Sequence, residues 1–368
     1  MINLEILKRN IKFSAILTTG RTGSDYLHAC LDDVPGLVTF SGSFSFYEFI
    51  DKLERKLESY EPNKILDLFI KNNRYLFFQD KIENKRINLD LKKFKKFFNK
   101  IIKKNKFNEN NFLLTLYISY YLTLDKNISK IKTIVHHSHN VEETKRFIKN
   151  FTKVRLLITI RDPRANLMSG IVNWIRYDPS KENEQHFLFY IKRIRQDLIY
   201  GLSTKKKLFI KLEEANSKKV KKNILKFLNV DYHRNIEKST FLGNEWNGDR
   251  LSKFKSNKGR YNSYVKKKKW KFFLSDHDKK ILDFIYNMYI IFNYDIKKIN
   301  YKSLIYFFLL TPIPLSFEKD LFKFKYFLKP KIKIKYKLFN FYFYLKRILF
   351  CYYVIIDSLF NKNTYINK

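Results

Sequence analysis

Cysteine is nearly absent. Cys30 and Cys351 are the only two in 368 residues, which excludes a disulfide framework and a cysteine-built metal site and points to a reducing, cytoplasmic compartment. Glycine and proline are also scarce, with 9 and 7 residues, so a turn-rich or Gly/Pro-repeat architecture is excluded and any glycine cluster carries information. Acidic residues are outnumbered, 35 against 74 Lys and Arg, for a formal charge of +39. Such a charge suits nucleic acid, but the lysines are spread through the chain among abundant Asn, Ile, Phe and Tyr, as on a solvated surface. The excess supports attraction to anionic small molecules, anionic glycans or an acidic membrane face. An uninterrupted apolar run of the roughly 20 residues that span a bilayer is missing too. The N-terminal segment "MINLEILKRNIKFSAILTTG" lacks a signal-peptide pattern and reads as a core strand.

What the chain does have is "TTGRTGSDYL" at residues 18 to 27. An apolar strand leads into it and a helix pattern follows. Strand, tight loop and helix direct several backbone N–H groups and a helix N-terminus at one spot, which favours a phosphate or sulfate. The loop is no Walker A motif. Gly20 and Gly23 are separated by two residues rather than four, no Lys-Ser/Thr pair follows, and the loop's cation is Arg21.

Further along, residues 51 to 130 alternate lysine-rich amphipathic and short apolar segments with almost no glycine, predicting a helical insertion. The runs "KIKTIV" and "TKVRLLITI", separated by a helix pattern, predict a parallel βαβ unit, and "KLFIKL" predicts another strand. The predicted fold class is α/β: a mostly parallel, P-loop-like sheet flanked by helices over residues 1 to 300, with an apolar and basic extension over 301 to 368. In that extension Pro312, Pro314 and Asp357 interrupt the apolar runs, so the choices are helices packed on the rest of the protein or helices lying at a membrane interface.

A second motif is "VRLLITIRDPRANLMSGIVNW". A strand ends at Ile160, and Asp162 with Pro163 starts a helix. Arg161 therefore stands at a strand's carboxyl end. Ser169, eight residues on, is only about 80° round the helix from it, so both side chains can address one anion.

Together the two loops resemble the donor-binding elements of the sulfotransferases that use 3′-phosphoadenosine 5′-phosphosulfate (PAPS), in particular bacterial, carbohydrate-type members. In that family a first strand-loop-helix holds the 5′-phosphosulfate, and Arg with Ser eight positions later holds the 3′-phosphate. Gly20, Arg21, Thr22, Gly23 and Ser24 match the first element, and Arg161 with Ser169 match the second. The resemblance extends over residues 11 to 295, through "LFIKLEE", "FLGNEWNGDRL" and "KKKKWKFFLSDHDKKIL". Lys258 and Gly259 resemble a late contact to the 3′-phosphate. Leu212-Glu213-Glu214 departs from the family's Tyr-Glu-Asp.

The resemblance implies the sulfotransferase fold and sulfuryl transfer from PAPS, with no metal, to a hydroxyl or amine of a glycan or lipid-linked saccharide. Arg21, the amides of Thr22 to Ser24 and the hydroxyls of Thr22 and Ser24 would neutralise charge on the leaving phosphate. The acceptor must lose a proton, so a general base is expected. Histidine suits neutral pH, and "VHHSHN" follows the strand "KIKTIV", at the sheet edge where α/β proteins bind ligands. His136, His137 and His139 are candidates, His137 being favoured, with alternation putting 137 and 139 on one side and 136 on the other; Glu48, in "GSFSFYEF", is the rival. His28 reads as structural. The competing functions are a nucleotide kinase-like phosphotransferase, which lacks its lysine, and a basic nucleic-acid binder, for which no recognition motif is present. Peripheral contact with the membrane's inner face is a further expectation for the C-terminal extension.

Overall fold

A computed structural model of the chain describes residues 2–54, 57–79, 87–177, 184–248, 261, 269–296, 301–316, 318–319 and 334–360. In chain order the helices are α1 (Leu4–Asn10), α2 (Ser24–Leu31), α3 (Phe46–Asp51), α4 (Pro62–Asn72), α5 (Leu91–Ile102), α6 (Glu109–Thr123), α7 (Val141–Asn150), α8 (Pro163–Tyr177), α9 (Glu184–Ser203), α10 (Lys218–Phe227), α11 (Asp276–Ile285), α12 (Tyr301–Leu310) and α13 (Ile334–Phe360). The strands are β1 (Lys12–Thr18), β2 (Leu37–Val38), β3 (Phe78–Gln79), β4 (Ile87–Asn88), β5 (Thr133–His137), β6 (Arg155–Ile160), β7 (Lys207–Lys211), β8 (Thr240–Phe241) and β9 (Asn244–Glu245). Packing divides the chain into two units, residues Met1–Thr18, Thr22–Ile160 and Tyr200–Lys266 in one, and Thr19–Arg21, Arg161–Ile199 and Lys267–Lys368 in the other.

The first unit holds a five-stranded sheet in the order β2-β5-β1-β6-β7, every neighbouring pair parallel. Both faces are covered, which explains why these strands read as nearly continuous apolar runs rather than alternating ones. On one face Ile16, Val135, Leu157 and Ile210 meet Leu27 and Leu31 of α2, Ile224 and Leu225 of α10, and Leu228 just beyond it. On the other, Phe13 of β1 packs on Phe147 and Phe151, at and just beyond α7, with ring centroids 6.3 and 4.5 Å away. The order places β1 at the centre, with β5 and β6 on either side. The carboxyl ends of these three strands therefore share one edge, the usual place for a ligand in such sheets.

Two features depart from the expectation for this unit. Strand β2 was not foreseen, because two residues against β5 are too short to show a period. The predicted helical insertion also contains the antiparallel pair β3–β4. Its helices follow the sequence pattern otherwise: α5 turns Phe94, Phe98, Ile101 and Ile102 inward and its lysines outward, while α6 is buried almost all round.

The second unit is helical, and buried ion pairs organise it. Arg347 of α13 donates from Nε and Nη2 to the two oxygens of Glu318 at 2.9 and 2.8 Å, and from Nη1 to the Thr311 carbonyl at 2.6 Å. Arg195 of α9 pairs with Asp357 of α13, again with both side chains buried. No helix among the described residues is long and apolar enough to cross a membrane. Removing one partner of such a pair leaves the other buried and uncompensated. Arg347→Met is therefore expected to cost this unit about 3–5 kcal/mol, measured as a lower urea midpoint, and adding Glu318→Leu should restore most of it.

Candidate active site

The chain leaves β1 through residues 19 to 24, with Gly20 at φ +105° and Gly23 at φ +78°, conformations that glycine adopts without strain. In the second unit, the side-chain amide of Asn166 fastens the start of this loop. Its Nδ2 donates to the Thr19 carbonyl at 2.5 Å, and its Oδ1 accepts from the Arg21 N–H at 2.6 Å. A Cβ on Gly20 would lie 2.7 Å from Asn166 Oδ1, so the close approach requires glycine there. Asn166 was missed from sequence. It sits in the first turn of α8, its N–H bonded to the Asp162 carbonyl at 2.8 Å, and only its facing toward the loop reveals its role.

Arg161, the residue after β6, reaches the same loop: its Nη1 donates to the Arg21 carbonyl at 3.5 Å. The neighbouring carboxylate is engaged elsewhere. Asp162 accepts from Nε and Nη2 of Arg164 at 3.0 Å, and Arg164 also holds Asp283 at 2.9 Å and lies 4.0 Å over the Trp270 ring. Two arginines, Arg21 and Arg161, are thus placed at one turn of backbone. Ser169 lies further along α8, half-buried.

In the first unit the loop continues into α2. The Thr22 hydroxyl bonds those of Thr18 and Thr159 at 3.1 and 2.7 Å, so it is turned into the protein rather than toward a ligand, and locks the loop to β1 and β6. Gly23 caps α2 with no side-chain hydrogen bond to the first-turn amides. A Cβ there would meet Leu212 Cδ1 at 2.3 Å. Leu212, the departure from the family's Tyr, is thus packed on the loop, and Tyr261 donates to its carbonyl at 2.7 Å. Glu213 sits beside it in a half-buried turn. Lys258 and Gly259 lie outside the described residues.

The three histidines of "VHHSHN" separate sharply. His136 is fully buried, its Nδ1 2.9 Å from the Tyr117 hydroxyl and its ring stacked 4.8 Å from Phe147. Desolvation lowers its pKa to about 3. His137, also buried, lies across the strand, its Nδ1 3.0 Å from His28 Nδ1, one ring donating and the other accepting. Burial pushes the pKa of His137 down and that of His28 to about 4. His139 is different. It is 47 % exposed, and its Nε2 lies 2.9 Å from Asp25 Oδ1 on α2. Asp25, one residue into α2, was not singled out from sequence; its position on the helix that opens at the glycine loop was the available signal. Glu48 is half-exposed on α3 and pairs with Lys52 at 2.6 Å. Ligand atoms of Asp25, His137 and His139 all fall within 4.8 Å of one another, a spacing that could hold a metal ion.

His28 and His136 are neutral in the folded chain and take protons more readily when it unfolds. The unfolded state therefore binds more protons between the depressed values and about pH 6.5. Their stability contribution is present above pH 6.5 and is lost as pH falls toward 4 and 3. Each is expected to contribute a slope of about 1.4 kcal/mol per pH unit near pH 5. Urea unfolding measured from pH 7 to 4 checks this, and His136→Gln should reduce the slope by about one proton.

No protein-family model matches the chain, and no curated protein matches it. Among solved structures it is similar to the sulfotransferase domain from the Synechococcus PCC 7002 olefin synthase, at 16% identity over 78% of this chain and 97% of that one, with a TM-score of 0.47. It is similar also to the sulfotransferase domain from the curacin biosynthetic pathway, at 14% identity over 78% and 100%, TM-score 0.46. A third likeness is to sulfotransferase STF9 from Mycobacterium avium, at 12% identity over 64% and 68%, TM-score 0.34.

Proposed function

We propose that the chain is a sulfotransferase that moves the sulfuryl group of PAPS to a hydroxyl or amine of an acceptor, with a glycan or lipid-linked saccharide as the acceptor class. The observation that carries this reading is the meeting of two arginines at the loop after β1: Arg161 Nη1 against the Arg21 carbonyl, with the adjacent Asp162 tied to Arg164. The resemblance of these same positions to the PAPS-binding elements supplies the identity of the anion. The loop also fits a phosphosulfate. Backbone N–H groups at the N-terminus of α2 suit an anion.

The bound donor supplies a sulfuryl group on a good leaving phosphate. Arg21 and the amides of Thr22 to Ser24 neutralise the charge that grows on the leaving oxygen. Arg161 and Ser169 hold the 3′-phosphate and so select the donor from ordinary nucleotides. His139 is the general base. With Nε2–H donated to Asp25, its basic lone pair is on Nδ1, and the carboxylate stabilises the imidazolium that forms. His137 and His136 support the edge from inside, since a buried ring held neutral by desolvation is a poor proton acceptor. The 2.9 Å contact between His139 Nε2 and Asp25 Oδ1 is the geometry of an acid–base dyad.

Calorimetric titration with 3′,5′-adenosine bisphosphate, beside ADP and AMP, tests the donor assignment. The 3′-phosphorylated ligand should bind more tightly than ADP, and Arg161→Ala should weaken it about 10- to 100-fold, the loss of one to two charge-assisted contacts. Equal binding of ADP, or tighter binding with Mg²⁺, would favour the kinase-like alternative. His139→Ala should slow sulfuryl transfer by about 10²- to 10⁴-fold with donor affinity kept, whereas Glu48→Gln should leave the rate within about twofold.

A further inference from the structure

Helix α13 is built inside out. Its arginine and its aspartate both point inward, Arg347 to Glu318 and Asp357 to Arg195. The outer face is apolar: Tyr342, Leu345, Leu349, Tyr353, Ile356 and Phe360 are all exposed, Leu349 at 65% and Phe360 at 82%. Helix α12 of the same unit adds exposed Ile305, Phe308 and Leu309. Contiguous apolar surface of this kind marks an interaction site.

Its geometry selects the partner. From Tyr342 to Phe360 is 18 residues, which at 100° each is five whole turns, so the stripe ends on the bearing where it began and runs straight for about 27 Å. A left-handed coiled coil needs steps of three and four in alternation. Here two successive fours, Leu345 to Leu349 to Tyr353, break that seam. A straight stripe fits a flat surface. Charge points the same way. No acidic residue occurs between Leu321 and Leu345, while lysines stand at 323, 325, 329, 331, 333, 335 and 337. On the helix itself Lys346 lies 4.4 Å over the Tyr342 ring, an aromatic and a cation paired as at a membrane–water interface.

We propose that α13 lies in the plane of an anionic bilayer surface, its apolar stripe at the acyl-chain boundary. This rests on the second unit alone and does not depend on the chemistry assigned to the glycine loop.

Vesicle co-sedimentation of the full chain tests it, comparing phosphatidylcholine with phosphatidylcholine–phosphatidylserine mixtures. The protein should partition into the serine-containing vesicles at least about 10-fold more strongly, less so at high salt. Leu349→Glu with Ile356→Glu should reduce that partition at least about 10-fold, with the melting temperature and near-UV dichroism unchanged because both positions are exposed. Absence of partition into either vesicle, equal partition into neutral ones, or undiminished binding by the variant would overturn the proposal. So would a concentration-dependent dimer that the variant dissolves in a protein that ignores vesicles.

Discussion

One side-chain amide fixes the backbone from which Arg21 projects. Asn166 bridges the Thr19 carbonyl and the Arg21 N–H, fixing the first half of the glycine loop to the start of α8. Because only Arg161 and Asp162 separate β6 from α8, the same contact ties the loop to the segment that carries Arg161. Gly20 is required by that closeness, and Thr22 extends the anchoring through hydroxyls into β1 and β6. An arginine held by its backbone is preorganised for an anion, whereas a mobile one would have to be ordered on binding.

Around this loop the fold divides labour between sides of one strand end. β5 sends His136 into an aromatic core and His137 to His28, both desolvated and neutral, while His139, two residues beyond the strand, stays in contact with water and with Asp25. Three near-identical residue types thus have three environments. Burial makes two of them structural supports whose cost appears as acid sensitivity, and exposure leaves the third able to exchange protons.

Much of this was legible in the sequence because it depends on local order. Strand, glycine loop and helix at 18 to 27, and strand, Arg161 and helix at 155 to 169, are fixed by neighbours along the chain, and the parallel sheet follows from their alternation. Side-chain alternation likewise separated His136 from His137 and His139. What was not legible depends on distant approach. Asn166 and Asp25 acquire meaning only from what faces them, β2 is too short to carry a period, and the inward turn of the Thr22 hydroxyl requires Thr159, 137 residues away. Asp357 reads as an interruption of an apolar run, yet on a helix of 27 residues it lies on the inner face opposite Arg195. Linear hydropathy hides the apolar outer stripe that periodicity on the folded helix exposes.

On the proposed function the glycine loop and Arg161 bind the two phosphate ends of one nucleotide. A crystal structure with 3′,5′-adenosine bisphosphate tests it most directly. The expected result is the 5′-phosphate on the amides of Thr22 to Ser24 with Arg21, and the 3′-phosphate on Arg161 and Ser169. A 3′-phosphate free in solvent with Arg161 turned to a carboxylate, or a nucleotide bound away from the loop, would contradict it.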